Sequence, residues 1–270
     1  MKTVPFDKYC HPLDRKTLYA LKAVPFIDSA LKKVMAVFSE NLQEGLNMAS
    51  KIRLSQEQLP KLYDLLPPIC AILGIEEPQF YLEMNPEPNA YTYGDTKIAI
   101  TVTSGLVNTM STDELRTVIA HECGHIACHH VLYYSMASLL LNSGVDLLGL
   151  GMLIELPLKL ALYKWRRCSE LSADRAAAIV MGGAASVENT MMKLAGGLSD
   201  ITQKMNKELY LRQAESYLDM IDNSKWNKIQ QYYLVSMQDH PLTAVRAYEI
   251  NKWCKSDDFA RIIEQIKEQI

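Results

Sequence analysis

The chain lacks a strong charge of either sign. Across 270 residues, 28 Lys and Arg stand against 31 Asp and Glu, giving a net charge of −3. That leaves no electrostatic footprint for nucleic acid and no overall basic attraction to anionic lipid. Bulky aromatic core material is scarce too, with only 5 Phe and 3 Trp. The apolar mass is therefore carried by Leu, Ala and Ile, which suits a helix-rich fold. An apolar core is missing from the N-terminal MKTVPFDKYCHPLDRK as well, so that segment is not expected to act as an export signal. Nor is there an uninterrupted run of about 18 apolar residues. The nearest approach, Ala137 to Leu162, is broken by Asp146, Glu155, Pro157 and Lys159, and reads as a buried or membrane-touching helical hairpin. The 6 cysteines are irregularly spaced, and Cys123 and Cys128 fall on one expected helix. They read as reduced thiols of a cytoplasmic protein rather than a disulfide framework, with peripheral membrane contact left open. Repeats and low-complexity linkers are absent, so a single domain, 1–270, is expected.

What is present organises itself around a short strand region. From about Pro25 to Gly74 the periodicity is helical, with Asp28 and Ser55 as expected helix starts and Pro67–Pro68 as an interruption. Strand signals then cluster: Gln79–Met84 alternates, Asn89–Tyr93 is short, and Lys97–Thr103 is rich in Ile, Val and Thr, with Gly94–Asp95 supplying a turn. From Ser111 onward the pattern is helical almost to the end. The fold class is α+β, predominantly α-helical, with a small and mostly antiparallel sheet.

The segment STDELRTVIAHECGHIACHH opens with a capping box, Ser111 with Glu114 three residues on. Leu115, Val118, Ile119 and Ile126 recur at helical spacing. Glu122 occupies a position that should continue this stripe, and a carboxylate on a buried face is costly unless a charge compensates it. His121 and His125 flank it four residues apart, so both imidazoles leave one face a turn apart, as two ligands of one metal require. His129 lies about 12 Å along the same axis from His121 at 1.5 Å per residue, beyond the reach of the same ion. His129 and His130 therefore read as solvent-facing or structural, and Cys123 and Cys128 as packing residues.

A catalytic metal site needs a third protein ligand and an open position. In RRCSELSADRAAAIVM, the residues Glu170, Asp174, Ala177 and Met181 share a helix face headed by two carboxylates, and the alanines permit close packing on another helix. Glu170 as ligand and Asp174 as acceptor for a ligand imidazole is the economical assignment.

Four segments then carry a family likeness in order: NAYTYGDTKIAITVTSGLV, DELRTVIAHECGHIACHH, LYKWRRCSELSADRAAAIVMGG with MKLAGG after it, and DHPLTAVRAYEINKW. The chain resembles the HtpX and CAAX prenyl protease family of gluzincin zinc metallopeptidases, especially its soluble bacterial members. The resemblance implies a zincin-like core beside an HExxH helix, with zinc on His121, His125 and Glu170, Asp174 as the Asp of an ExxxD motif, and Glu122 as general base. It implies that His240, with Pro241, and Arg246 lie near the active site. It also implies that a polypeptide substrate pairs with the strand before the active-site helix, through Ile98, Ala99, Ile100 and Thr101. The single domain then divides into a helical part at about 1–75, a catalytic core at about 76–200 and a helical part at about 201–270. The chain departs from integral members, whose clear transmembrane helices it lacks.

On its own residues, His240 is either an oxyanion donor or a helix cap, since Pro241 suits a first helical position. Arg246 is either an oxyanion donor or a clamp on Glu170 or Asp174. The His11–Pro12 segment beside Cys10 reads as an N-terminal tether, with an inhibitory cover over the site as the alternative. The expected activity is peptide-bond hydrolysis. Competing readings are a zinc-stabilised chaperone-like module with an occluded site and a membrane-associated quality-control protease. A deformylase is discounted, because no cysteine falls between Cys70 and Cys123 to serve as its strand ligand.

Overall fold

The computed structural model describes residues 3–24, 27, 40–142, 152–197, 201, 204–222 and 242–267. The expected helix start at Asp28, the site residue His240 with Pro241, and residues 143–151 of the possible membrane stretch lie outside them.

Twelve α-helices and four strands follow one another among the described residues. A 3₁₀ turn at Phe6–Lys8 precedes α1 (Pro12–Lys22) and α2 (Glu40–Ser50). Strand β1 (Ile52–Arg53), α3 (Pro60–Tyr63) and α4 (Leu66–Leu73) lead into β2 (Gln79–Glu83), β3 (Ala90–Tyr93) and β4 (Ala99–Thr103). The rest is helical: α5 (Ser104–Thr109), α6 (Thr112–Ala127), α7 (Val131–Asn142), α8 (Met152–Met181), α9 (Ala185–Gly196), α10 (Lys207–Asp222), α11 (Thr243–Cys254) and α12 (Asp257–Lys267).

The sheet order is β1-β2-β4-β3. Gly94 turns the chain between β3 and β4 with φ of 124°, and the two strands pair antiparallel with Thr92 opposite Ile100. β1 and β2 are also antiparallel, but β2 and β4 run parallel, so the sheet is mixed. Every residue of β4 is buried, as befits a central strand. Strand β1 was not expected, since two residues leave no alternation to detect. Ser55 starts no helix either: its hydroxyl accepts from the Glu57 and Gln58 N–H groups in a turn, and α3 begins at Pro60.

Helix α6 lies across the sheet. Its main core joins Phe80, Ile100 and Val102 of the sheet to Ile119, Ala120 and Cys123 of α6 and Ile69 and Cys70 of α4. Its capping box forms as the sequence predicts, with the Glu114 N–H donating to Ser111 Oγ and the Ser111 N–H to Glu114 Oε2. Gly124 permits α8 to approach: a Cβ there would stand 2.8 Å from Ala176 Cβ and 3.0 Å from Ala173 Cα. A smaller apolar cluster of Leu21, Ala137, Leu158, Leu162 and Trp165 seats α1 against α7 and α8. Pro157 sits inside α8 rather than ending it. All six cysteines are free thiols. Among the described residues no helix is long and apolar enough to cross a membrane.

Candidate metal centre

Three ligand-type atoms converge between α6 and α8. His121 Nε2 and His125 Nε2 are 3.2 Å apart, and oxygens of the Glu170 carboxylate lie 3.4 Å from each. Tetrahedral bonds of about 2.0–2.1 Å would set ligand atoms about 3.3–3.4 Å from one another. The triangle therefore fits one small divalent ion with a fourth position left for another group. All three residues are buried. Among the described residues no other set of three His, Cys, Asp or Glu side chains draws together in this way. A cleft of about 440 Å³ opens beside it, with His121, Glu122, Asp174 and Arg246 in its walls alongside apolar Leu106, Val118, Val187 and Met191.

The ligands are held from outside. Asp174 Oδ1 accepts from His121 Nδ1 at 2.9 Å, which leaves Nε2 as the free donor atom. Arg246 grips Asp174 with two hydrogen bonds, Nε to Oδ2 at 2.8 Å and Nη2 to Oδ1 at 2.6 Å. Its Nη1 stands 2.9 Å from Glu170 Oε2 as an ion pair, without hydrogen-bond alignment. Of the two roles open to Arg246, the geometry is that of the carboxylate clamp. Tyr134 donates to Glu170 Oε1 at 2.5 Å; burial and the Glu170 charge push its phenol well above its ordinary pKa, so it stays a donor. Burial alone would lower His121, but its hydrogen bonds to Asp174 and Glu170 prevail and push it up to about 9. Burial takes His125 down to about 4. Burial would raise Asp174, but the Arg246 guanidinium outweighs it and holds the carboxyl below its ordinary value.

Of the two roles expected for His130, solvent-facing or structural, the geometry is that of a buried structural residue. It is neither exposed nor remote: its Nδ1 lies 3.0 Å from His125 Nδ1. The cause is the end of α6. His129 adopts φ of 58°, the His130 N–H donates to the His125 carbonyl, and the His129 N–H donates to the Ile126 carbonyl. This is a Schellman turn, and it folds His130 back over His125. His129 itself is exposed, edge-on to Phe6. Cys123 and Cys128 are buried packing residues, as expected.

The substrate strand also needs correcting. β4 is hydrogen-bonded on both sides, so Ala99, Ile100 and Thr101 have no free backbone edge, and the Ile98 carbonyl accepts from the Gln79 N–H. Among the described residues, the sheet edge beside α6 belongs to β3. From it, Thr92 donates to Glu122 Oε2 at 2.6 Å, and Glu87 to Ala90 line the cleft. His11 does not line that cleft. It caps α1 through the Leu13 N–H, and its own N–H donates to Ser172 Oγ, the arrangement of a tether.

The model of Peptidase family M48 matches residues 60–254. The chain is 32% identical over 266 residues to the plastoglobule-localized metallopeptidase 48 of Arabidopsis thaliana, covering 98% of this chain and 77% of that protein. The chain belongs to peptidase family M48. It is also 27% identical over 169 residues to protease HtpX homolog 2 of Methanosarcina mazei, covering 53% of this chain and 58% of that one. A protease HtpX homolog of Listeria monocytogenes is 34% identical over 106 residues, 38% of this chain and 34% of its own. The chain thus spans little over half the length of the first HtpX homolog and about a third of the second. No solved structure gives a match. Membership makes the protein a metalloprotease, a hydrolase acting on polypeptide, and the His121–His125–Glu170 triangle is a possible seat for its metal.

Sequence reasoning missed four residues around the M48 site: Thr92, Tyr134, His130 and Asp14. Asp14 lies outside the span that the family model matches. It is buried nonetheless and hydrogen-bonded to His130 Nε2 at 2.9 Å.

Proposed function

We propose that this M48 metalloprotease is a zinc-dependent endopeptidase in which His121, His125 and Glu170 hold the zinc and Glu122 is the general base. The observation that carries this reading is the 3.2–3.4 Å ligand triangle beside a cleft whose wall includes Glu122. Two imidazole nitrogens and one carboxylate oxygen are a donor set that zinc takes in catalytic sites. Zinc bound there supplies a water of lowered pKa and a Lewis acid for the peptide carbonyl.

The chain's own residues do the rest. Glu122 takes the proton of the attacking water and returns it to the leaving amine nitrogen. Thr92 holds Glu122 Oε2, which leaves Oε1 for that proton. Asp174 fixes the ring of His121, and Arg246 fixes Asp174 and Glu170, so Arg246 acts on position rather than on the oxyanion. His240 is the candidate donor to the oxyanion. An extended peptide adds to the free edge of β3 through main-chain hydrogen bonds, which tolerate varied side chains. His121 and Glu122 line a cleft among the described residues, and that cleft favours an enzyme over an occluded binding module. The protein is placed in the cytoplasm with peripheral contact at a lipid surface, and the plastoglobule-localized name of the Arabidopsis relative supports the lipid contact.

Glu122→Gln tests the mechanism. The variant should bind one zinc per chain as the wild type does, while kcat on a peptide library falls by about 10²–10⁴-fold. Retained turnover would remove Glu122 from the role of base.

A further inference from the structure

The two ligand histidines reach their supports differently. His121 donates straight to Asp174. His125 faces another imidazole, His130, and two neutral imidazoles leave the direction of the hydrogen bond undetermined. Something must set it, because only a His125 with its proton on Nδ1 has Nε2 free for a metal.

Asp14 is placed to do so. Its carboxylate, 1% exposed, accepts from four donors: His130 Nε2 at 2.9 Å in the turn between α6 and α7, Ser172 Oγ at 2.6 Å and Trp165 Nε1 at 3.1 Å on α8, and Cys10 Sγ at 3.5 Å. Burial would raise its pKa, but His130 and Ser172 outweigh that and hold it below the ordinary value. An ionised carboxylate only accepts. His130 then donates to it from Nε2, and in the neutral ring Nδ1 is the acceptor to which the His125 Nδ1–H donates. We infer that Asp14, on the N-terminal helix outside the family-matched span, is a positioning residue that sets the tautomer of His125 through His130 and so prepares it as a metal ligand. This rests on the zinc reading above.

The indole makes the inference testable. Trp165 Nε1–H can only donate. In Asp14→Asn, the amide must turn its oxygen to Trp165 and its NH₂ toward His130. That inverts His130 and sets two N–H groups against each other at His125. Asp14→Asn should therefore weaken zinc binding about 10–100-fold, the range for lost support of a ligand, measured by competition with a chromophoric chelator. Trp165→Phe removes the constraint on the amide. Trp165→Phe alone should bind zinc within about threefold of wild type, and the double variant Asp14→Asn/Trp165→Phe should recover at least tenfold of a hundredfold loss. A merely structural role for Asp14 predicts the opposite order, with the double variant worse than the single one.

A measurement on the wild type needs no variant to fold. In protein freed of metal by chelation, ¹⁵N-histidine NMR should find the His130 proton on Nε2; a proton on Nδ1 overturns the inference. Asp14→Asn binding zinc within twofold of wild type overturns it as well, while leaving the proposed enzyme intact. Wild type that binds no zinc overturns both.

Discussion

The two histidines of the HExxH helix are one turn apart, yet they are supported by different parts of the chain. His121 rests on Asp174 and, through it, on Arg246, so its environment holds a cation gripping two carboxylates. His125 rests on His130 and Asp14, a chain of rings and one carboxylate whose other partners are the neutral donors Ser172, Trp165 and Cys10. The first support comes from α8 and α11, inside the family-matched residues 60–254; the second is completed by α1, outside them. The lesson is that two equivalent ligands in the sequence motif are not equivalent in charge. One side balances buried charge, and the other transmits hydrogen-bond direction.

The largest break in this comparison is expected at Arg246. It is the guanidinium that faces the buried carboxylates Glu170 and Asp174, and both push its own pKa up against burial. Arg246→Met removes the guanidinium that those carboxylates face. Removing one partner of a buried ion pair costs about 3–5 kcal/mol. Thermal unfolding with chelator present should show that loss, and saturating zinc should restore much of it, because the metal supplies the missing positive charge. A loss below about 1 kcal/mol in chelator would mean that the charge on this side is balanced elsewhere.

A smaller break separates the two supports mechanically. Gly124→Ala sets a methyl 2.8 Å from Ala176 Cβ, which forces α8 away from α6. Overpacking of this kind costs about 1–3 kcal/mol. It should move Glu170 and Asp174 together, while the contact between His125 and His130, made across the turn from α6 to α7, is kept. Histidine NMR of the metal-free variant should therefore show a larger shift change at His121 than at His125, with weaker zinc binding. Equal changes at both rings would say that α8 supports them alike.

How much of this was legible follows from where each signal lies. Helix α6 was readable nearly in full, because its capping box, its stripe and the misplaced Glu122 are all local. Glu170 and Asp174 were readable because the alanines around them announce a close helix contact, which Gly124 completes. The order of strands was not: nothing in Lys97–Thr103 tells that β2 will pair with it in parallel and leave β3 at the edge. His130 was hidden because its Schellman turn has His129, not glycine, at the left-handed position. Asp14 stands 116 residues from His130, so no spacing connects them; the contact exists only because Leu21 and Trp165 bury α1 against α7 and α8.

The smallest expected effect lies at the start of α6, where neither support reaches. Burial alone would raise the pKa of Glu114. Its hydrogen bonds to Lys193 Nζ at 2.5 Å and to the Ser111 N–H at 2.7 Å outweigh that and hold the carboxyl below its ordinary value. A carboxyl depressed on folding contributes stability above its unfolded-state pKa of about 4.3, and loses that contribution as pH falls through the lower folded value. Glu114→Gln keeps the side chain's shape without its charge, so it should cost about 1 kcal/mol near neutral pH, the size of a capping interaction. The gap between variant and wild type should then close as pH drops below 4, read by urea unfolding at each pH. Zinc affinity at neutral pH should stay within about twofold of wild type, since a helix start that holds α6 in place touches neither Asp174 nor Asp14. A gap that persists at low pH would assign the effect to packing of the side chain rather than to its charge, and a fall in zinc affinity would tie the helix start to the ligands after all.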